Sequence, residues 1–207
     1  DNLLSFGIGE FVDFFQRHDT PCLAAYDVGS RERASSYGLV QLENEEVVHF
    51  EEKPDHPQST LVSIACYAFP QDTLPDFEVY LSDGNNPDEP GYLMQWLQQR
   101  GELNAFTFDG AWFDIGTPES YLDAVSWYLD GETYIADSAT VENSHLGENV
   151  HIMEESSVKN TTLERTVVFS DATISDADIE STIIDEKSRV EDVELSQALV
   201  GAYSQVQ

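Results

Sequence analysis

Residues 158–206 read VKNTTLERTVVFSDATISDADIESTIIDEKSRVEDVELSQALVGAYSQV, and their spacing decides the fold of the C-terminal part. Val158, Leu163, Val168, Ile174, Ile179, Ile184, Val190, Leu195, Val200 and Val206 follow one another at steps of 5, 5, 6, 5, 5, 6, 5, 5 and 6. Three such steps make a repeat of 16 residues, so Val158, Ile174, Val190 and Val206 stand one coil apart. Upstream, Ile135, Val141, Leu146, Ile152 and Val158 keep steps of 6, 5, 6 and 6. Neither a straight helix nor an isolated hairpin can use this period. A three-sided solenoid can, because every fifth or sixth side chain then points inward and stacked coils build apolar ladders.

Before Gly131 the texture differs. Ile8, Phe11, Val12 and Phe15 repeat at i, i+3, i+4 and i+7, which predicts a helix over 5–19 with those residues on one apolar face. Strand-like runs follow at Cys22–Val28, Tyr37–Leu42, Val47–Phe50 and Leu61–Phe69, separated by the polar or Pro-bearing links Gly29–Ser36 and Pro54–Ser59. The stretch SDGNNPDEPG at 82–91 is turn chemistry throughout and reads as a surface loop. Leu93, Trp96, Leu97 and Arg100 suit a short helix, and Asn104–Phe108 another strand. Thr117 as N-cap with Pro118 at the first helical position opens a last helix carrying Tyr121, Leu122, Val125 and Tyr128. Alternating helices and strands indicate an α/β domain over 1–130, followed by a β-helix over 131–207.

Composition excludes several functions. Of 207 residues, 40 are Asp or Glu and 9 are Lys or Arg, a formal charge of −31. So anionic a surface is repelled by phosphate backbones and acidic headgroups, which argues against nucleic-acid and membrane partners. A polyanion mimic would concentrate its charge, yet residues 1–130 hold 24 acids and 5 bases and residues 131–207 hold 16 and 4. Even spreading favours a solvation shell suited to a salty cytoplasm, a fold that loosens below roughly molar salt as screening fades. Nothing marks an export signal, and the longest apolar run, Leu61 to Phe69, is too short to span a bilayer. Hydrophobic content of 41% with 11% aromatics is ample for a folded core. Cys22 and Cys66 stand apart without metal spacing and read as small core residues, and the five histidines show no HxH or HxxxH pattern.

Three short motifs invite chemistry. They are Asp1-Asn2, then Phe50-Glu51-Glu52-Lys53-Pro54 at a strand end, then Trp112-Phe113-Asp114-Ile115-Gly116-Thr117-Pro118, whose Asp closes a strand ahead of a capped helix. Taken singly, each has a plain alternative: a chain terminus, a surface ion pair of little worth, an Asp in a turn.

With Tyr37-Gly38-Leu39-Val40 between them, these motifs in this order resemble the sugar-1-phosphate nucleotidyltransferases. The likeness is to the glucose-1-phosphate thymidylyl- and uridylyltransferase-like enzymes, in a haloarchaeal form ending in a left-handed β-helix. The hand of the coils is implied by the resemblance alone. It further implies a Mg²⁺ shared by Asp1 and Asp114, sugar hydroxyls on Glu52, the sugar phosphate on Lys53, and a sugar pocket lined by Asn2, Tyr37 and Gly38. Asp1, Lys53 and Asp114 are then the catalytic set. A hard divalent cation on two carboxylates plus one ammonium offsets the repulsion between two phosphates. The substrates implied are dTTP or UTP with a glucose 1-phosphate-like sugar, giving NDP-sugar and pyrophosphate in the cytoplasm.

The chain also departs from that pattern. It starts with Asp, where the G-D-N motif is already under way, so about a hundred residues carrying the Gly-rich nucleotide loop are expected to precede it. This chain alone is then not competent for transfer. The mid-chain Glu-x-Thr-Asp stretch is replaced by Asp88-Glu89-Pro90-Gly91-Tyr92, and the Gly ahead of the strand Tyr is replaced in Ala65-Cys66-Tyr67. For the solenoid, an assembly module holding a homo-oligomer is weighed against an acyltransferase using His145 or His151. A non-catalytic acidic scaffold is the alternative for the whole chain.

Overall fold

The computed structural model describes residues 2–207, which divide into two compact units: Leu4–Ala111, and Trp112–Gln207 joined by Asn2 and Leu3. Its elements before the coils are β1 (Asn2–Leu4), α1 (Ile8–His18), β2 (Cys22–Asp27), α2 (Arg31–Ala34), β3 (Gly38–Glu43), β4 (Glu46–Glu52), β5 (Leu61–Ala68), α3 (Leu74–Ser82), α4 (Pro90–Gln98), β6 (Asn104–Thr107), β7 (Trp112–Asp114) and α5 (Pro118–Leu129).

In the first unit a mixed sheet runs β2-β5-β3-β4-β6 and closes, because β6 lies parallel to β2 and bonds back to β4 at Glu46↔Asn104. Cys22, Leu23, Ala24 and Ala25 of β2 are all buried, as expected of a strand covered on both faces. One cluster joins Leu23, Val40, Val47, Phe50 and Leu103 to Met94 and Leu97 of α4. On α1, Phe11 and Phe14 are buried with their rings 6.0 and 5.7 Å from that of Phe106. Ile8 and Val12 are 59% and 42% exposed, so the helix turns a Phe11/Phe14 face inward instead of the expected Ile8/Phe11/Val12/Phe15 stripe. Aromatic packing on Phe106 outweighs the aliphatic periodicity.

Other boundaries differ locally. Ser30 caps α2 inside the expected Gly29–Ser36 link, its Oγ accepting from Arg33 N at 3.5 Å. The expected loop at 82–91 gives up Pro90 and Gly91 to α4, since Pro at a first helical position is favourable. Helix α3 shows no clean apolar stripe in the sequence. It is held instead by Tyr80, whose hydroxyl donates to Asn86 O at 2.8 Å and whose ring packs edge-on to Trp96. Ala65 adopts φ +56 beside a register shift in the β2–β5 ladder, a left-handed conformation at the position where the resembled enzymes carry Gly.

In the second unit β1 pairs with β7, and Asn2 Oδ1 accepts from Trp112 Nε1 at 2.6 Å. Thr117 and Ser120 form a reciprocal capping box at the start of α5, as the Thr-Pro sequence predicts. Stacked coils follow, in three parallel sheets. Val141, Val158, Ile174, Val190 and Val206 pair in register, as do Leu146, Leu163, Ile179 and Leu195, and Ile135, Ile152, Val168, Ile184 and Val200. The seven residues from Ile152 to Ile184 in these ladders are fully buried. Ile135, Leu195 and Val206, on outermost coils, are partly exposed.

Two further regularities make the corners. Residues three before each inward position, from Asn143 to Tyr203, take positive φ; half of these twelve are Asn or Asp, which tolerate that conformation best. From Asn160 onward their N–H groups reach back to a carbonyl of the previous coil, as Asp176 N does to Lys159 O at 3.0 Å. Residues two before each inward position are small, and Ser156, Thr161, Thr166, Thr182 and Ser188 are buried with their hydroxyls bonded to backbone carbonyls.

The compact units do not follow the change of texture at Gly131. Val167 and Ile183 point outward from the coils, yet Leu122 of α5 buries them, and Arg165 donates to Glu119 and Asp123 of the same helix at 3.0 and 2.6 Å. Helix α5 thus belongs with the solenoid by packing. No helix among the described residues is long and apolar enough to cross a membrane.

Candidate functional site

Within the first unit, the sequence motif at the end of β4 builds a recess. Pairing of β3 with β4 sets Gly38 opposite Glu52. A Cβ on Gly38 would collide with Phe50 Cζ and stand 2.8 Å from Glu52 Oε2, and one on Gly91 of α4 would collide with the same carboxylate. Both glycines therefore act as space, and the half-buried Glu52 side chain is sandwiched between them. Gln95 Oε1 accepts from Glu52 N at 3.0 Å, tying strand to helix. Burial raises the Glu52 pKa, Lys53 opposing and Glu89 adding to that rise. Tyr67 completes this wall: its phenol is pushed up by burial, with a lesser contribution from Glu52.

Lys53 leaves the strand with φ +46 and donates its N–H to Tyr37 O at 3.1 Å. Tyr37, half-buried, thereby fixes the turn through its carbonyl. The Lys53 ammonium does not pair with adjacent Glu51 or Glu52. It donates to Glu89, within the stretch whose sequence predicts a surface loop. Glu89 is held in turn by Asn86, whose Nδ2 donates to Oε2 at 2.9 Å. This pairing raises the Lys53 pKa and lowers that of Glu89, so both stay charged at neutral pH. Gln95 gives no signal in the sequence, and Glu89 and Gly91 stand out there only as part of the departure Asp88-Glu89-Pro90-Gly91-Tyr92, with no site role. A glycine in the first turn of a helix was the available signal, since that residue weakens a helix unless something needs its space.

The second unit holds the other expected residues. Asp114 is exposed at the end of β7, three residues ahead of the Thr117 cap, and its carbonyl accepts from Gly116 N at 3.1 Å. Asn2 commits its side-chain oxygen to the Trp112 indole. Asp1 lies outside the described residues. Among the described residues no group of three His, Cys, Asp or Glu side chains is arranged to hold a metal ion. His151 is half-buried with its ring edge-on to Tyr134 at 5.0 Å, and burial lowers its pKa. Cys22 and Cys66 are free thiols, Cys22 fully buried and pushed up to about 11 by that burial.

The family model described as nucleotidyl transferase matches residues 1–131, more than half of the chain. The chain belongs to the nucleotidyl transferase family. Among curated relatives of this family, a glucose-1-phosphate adenylyltransferase of Thermosipho africanus is 28% identical over 195 residues, covering 81% of this chain and 46% of the relative. One from Bacillus cereus is 31% identical over 168 residues, 68% of this chain and 43% of the relative. Another from Mycoplasma mobile is 33% identical over 128 residues, 60% and 34% respectively. The chain thus spans between a third and a half of the length of these relatives. Nucleotidyl transferase membership and the mixed sheet followed by stacked coils agree with the fold expected above.

Proposed function

We propose that the chain serves transfer of a nucleotidyl group from a nucleoside triphosphate to a sugar 1-phosphate, giving an NDP-sugar and pyrophosphate. The observation that carries this reading is the Glu52 carboxylate recessed between Gly38 and Gly91 with the Lys53 ammonium at the rim. A carboxylate accepts hydrogen bonds from sugar hydroxyls, and an ammonium is a compact point charge for a phosphate. Together they match the two halves of a sugar phosphate. Gly38 and Tyr37 shape the recess.

The hard carboxylate of Asp114, exposed at a strand end, fits a Mg²⁺ ligand, with Asp1 as the second. Such an ion supplies charge neutralisation between the two phosphates. For the nucleotide, the relatives named adenylyltransferases favour ATP over the dTTP or UTP of the motif resemblance. The coils serve as the assembly module of a homo-oligomer. Leu199 supports this, because it extends the outward ladder of Val167 and Ile183 and is 58% exposed. Sedimentation at molar salt is expected to give a multiple of 23.2 kDa, and a single-chain mass counts against assembly.

The test is pyrophosphate release by the full-length gene product from glucose 1-phosphate with ATP, dTTP or UTP, in Mg²⁺ at high salt. Release with ATP, abolished by Lys53→Ala, is expected. Thiol release from acetyl-CoA in place of pyrophosphate release would move the activity to the coils.

A further inference from the structure

Lys53 is one of three lysines in a chain of net charge −31, and its ammonium is already taken. The partner comes from 36 residues away and is deliberately placed. Asn86 Oδ1 accepts from the backbone N–H groups of Asp88 and Glu89 at 2.9 and 3.3 Å, while its Nδ2 grips Glu89 Oε2. The Asn86 carbonyl is itself pinned by the Tyr80 hydroxyl of α3. Glu89 is the N-cap residue of α4, yet its side chain makes no cap hydrogen bond and turns to Lys53 instead. An anchored carboxylate aimed at the Lys53 ammonium does what a substrate phosphate would do there.

Resting on the sugar-phosphate reading above, we propose that Glu89 is a resident competitor of the substrate phosphate at Lys53, so that binding requires this carboxylate to be displaced. An arriving phosphate dianion meets Glu52 and Glu89 around one ammonium, a local excess of negative charge. Displacing Glu89 frees the ammonium and moves one of those charges away. Dissolved cations stabilise the displaced carboxylate, which ties affinity at this site to ionic strength.

Calorimetric titration of glucose 1-phosphate, inorganic phosphate and neutral methyl glucoside into wild type and Glu89→Gln tests this. Glu89→Gln is expected to bind both phosphates roughly fivefold more tightly, from one half-exposed ion pair and one like-charge contact removed. Methyl glucoside affinity should not move, and the gap between the proteins should narrow as KCl is raised. Glu89→Ala, which need not keep the Asn86 contact, should behave alike. Equal or weaker phosphate binding by both variants, with Lys53→Ala still weakening it, overturns the competitor role and leaves the site standing. Failure of every protein, wild type included, to bind glucose 1-phosphate overturns the site and the competitor together.

Discussion

The carboxylate of Glu52 fills the space that a side chain on Gly91 would take, so a glycine inside a helix and an acid at a strand end define one recess. Gly91→Ala should favour the helix by up to about 1 kcal/mol in isolation, yet force Glu52 out of place. The expected outcome is at least roughly tenfold weaker glucose 1-phosphate binding, about 1.4 kcal/mol, by calorimetry with the fold retained by circular dichroism. Undiminished affinity would mean that Glu52 takes no part in binding.

Glu52 and Glu89 respond to pH with opposite signs. Burial raises the Glu52 pKa, so the folded state holds that proton more tightly than the unfolded chain, and its contribution to stability is present below the ordinary carboxylate range and lost as pH rises through the folded value. Glu89, lowered by Lys53, contributes above that range and loses its contribution on acidification. Denaturant midpoints should therefore show Glu52→Gln gaining on wild type as pH rises from the ordinary carboxylate range upward, and Glu89→Gln losing on wild type as pH rises from below that range up to it.

Within the coils, burial separates two residues of the same chemistry. Ile179 is fully buried in its ladder, and Ile179→Ala should cost about 3 kcal/mol by chemical denaturation. Leu199 is 58% exposed, and Leu199→Ala should cost under about 1 kcal/mol in the isolated chain. Similar costs for both would contradict the inward register.

Ala65 stands at φ +56 in a strand, where a Cβ is strained. Ala65→Gly relieves that strain and adds freedom to the unfolded chain, two opposed terms whose balance is about 0.5–1 kcal/mol in favour of the variant. Its thermal midpoint should rise by a few degrees.

The coils were legible because each inward position repeats in sequence at 5 or 6 residues and the fold contains little else. The ladder of small residues two places earlier, Ser156 to Ser188, is equally regular but is not legible by hydropathy, since Ser and Thr carry no signal on an apolar scale. The capped start of α5 was legible for the same local reason: Thr117 and Ser120 satisfy their helix end within four residues. The recess was legible only in part. Glu52 and Lys53 are adjacent in sequence, but Glu89 and Gly91 reach them through the packing of α4 on β4, a relation no local pattern encodes. Likewise, Ile8 and Val12 fit a helical stripe that Phe106 does not receive.

Whether Lys53 takes the phosphate of a sugar 1-phosphate is best tested by titrating glucose 1-phosphate into wild type and Lys53→Ala at high salt. Removing the Lys53 ammonium from the recess should raise the dissociation constant by one to two orders of magnitude, roughly 1.5–3 kcal/mol for a charge-assisted contact. An unchanged constant would return Glu52 and Lys53 to the role of a surface ion-pair cluster.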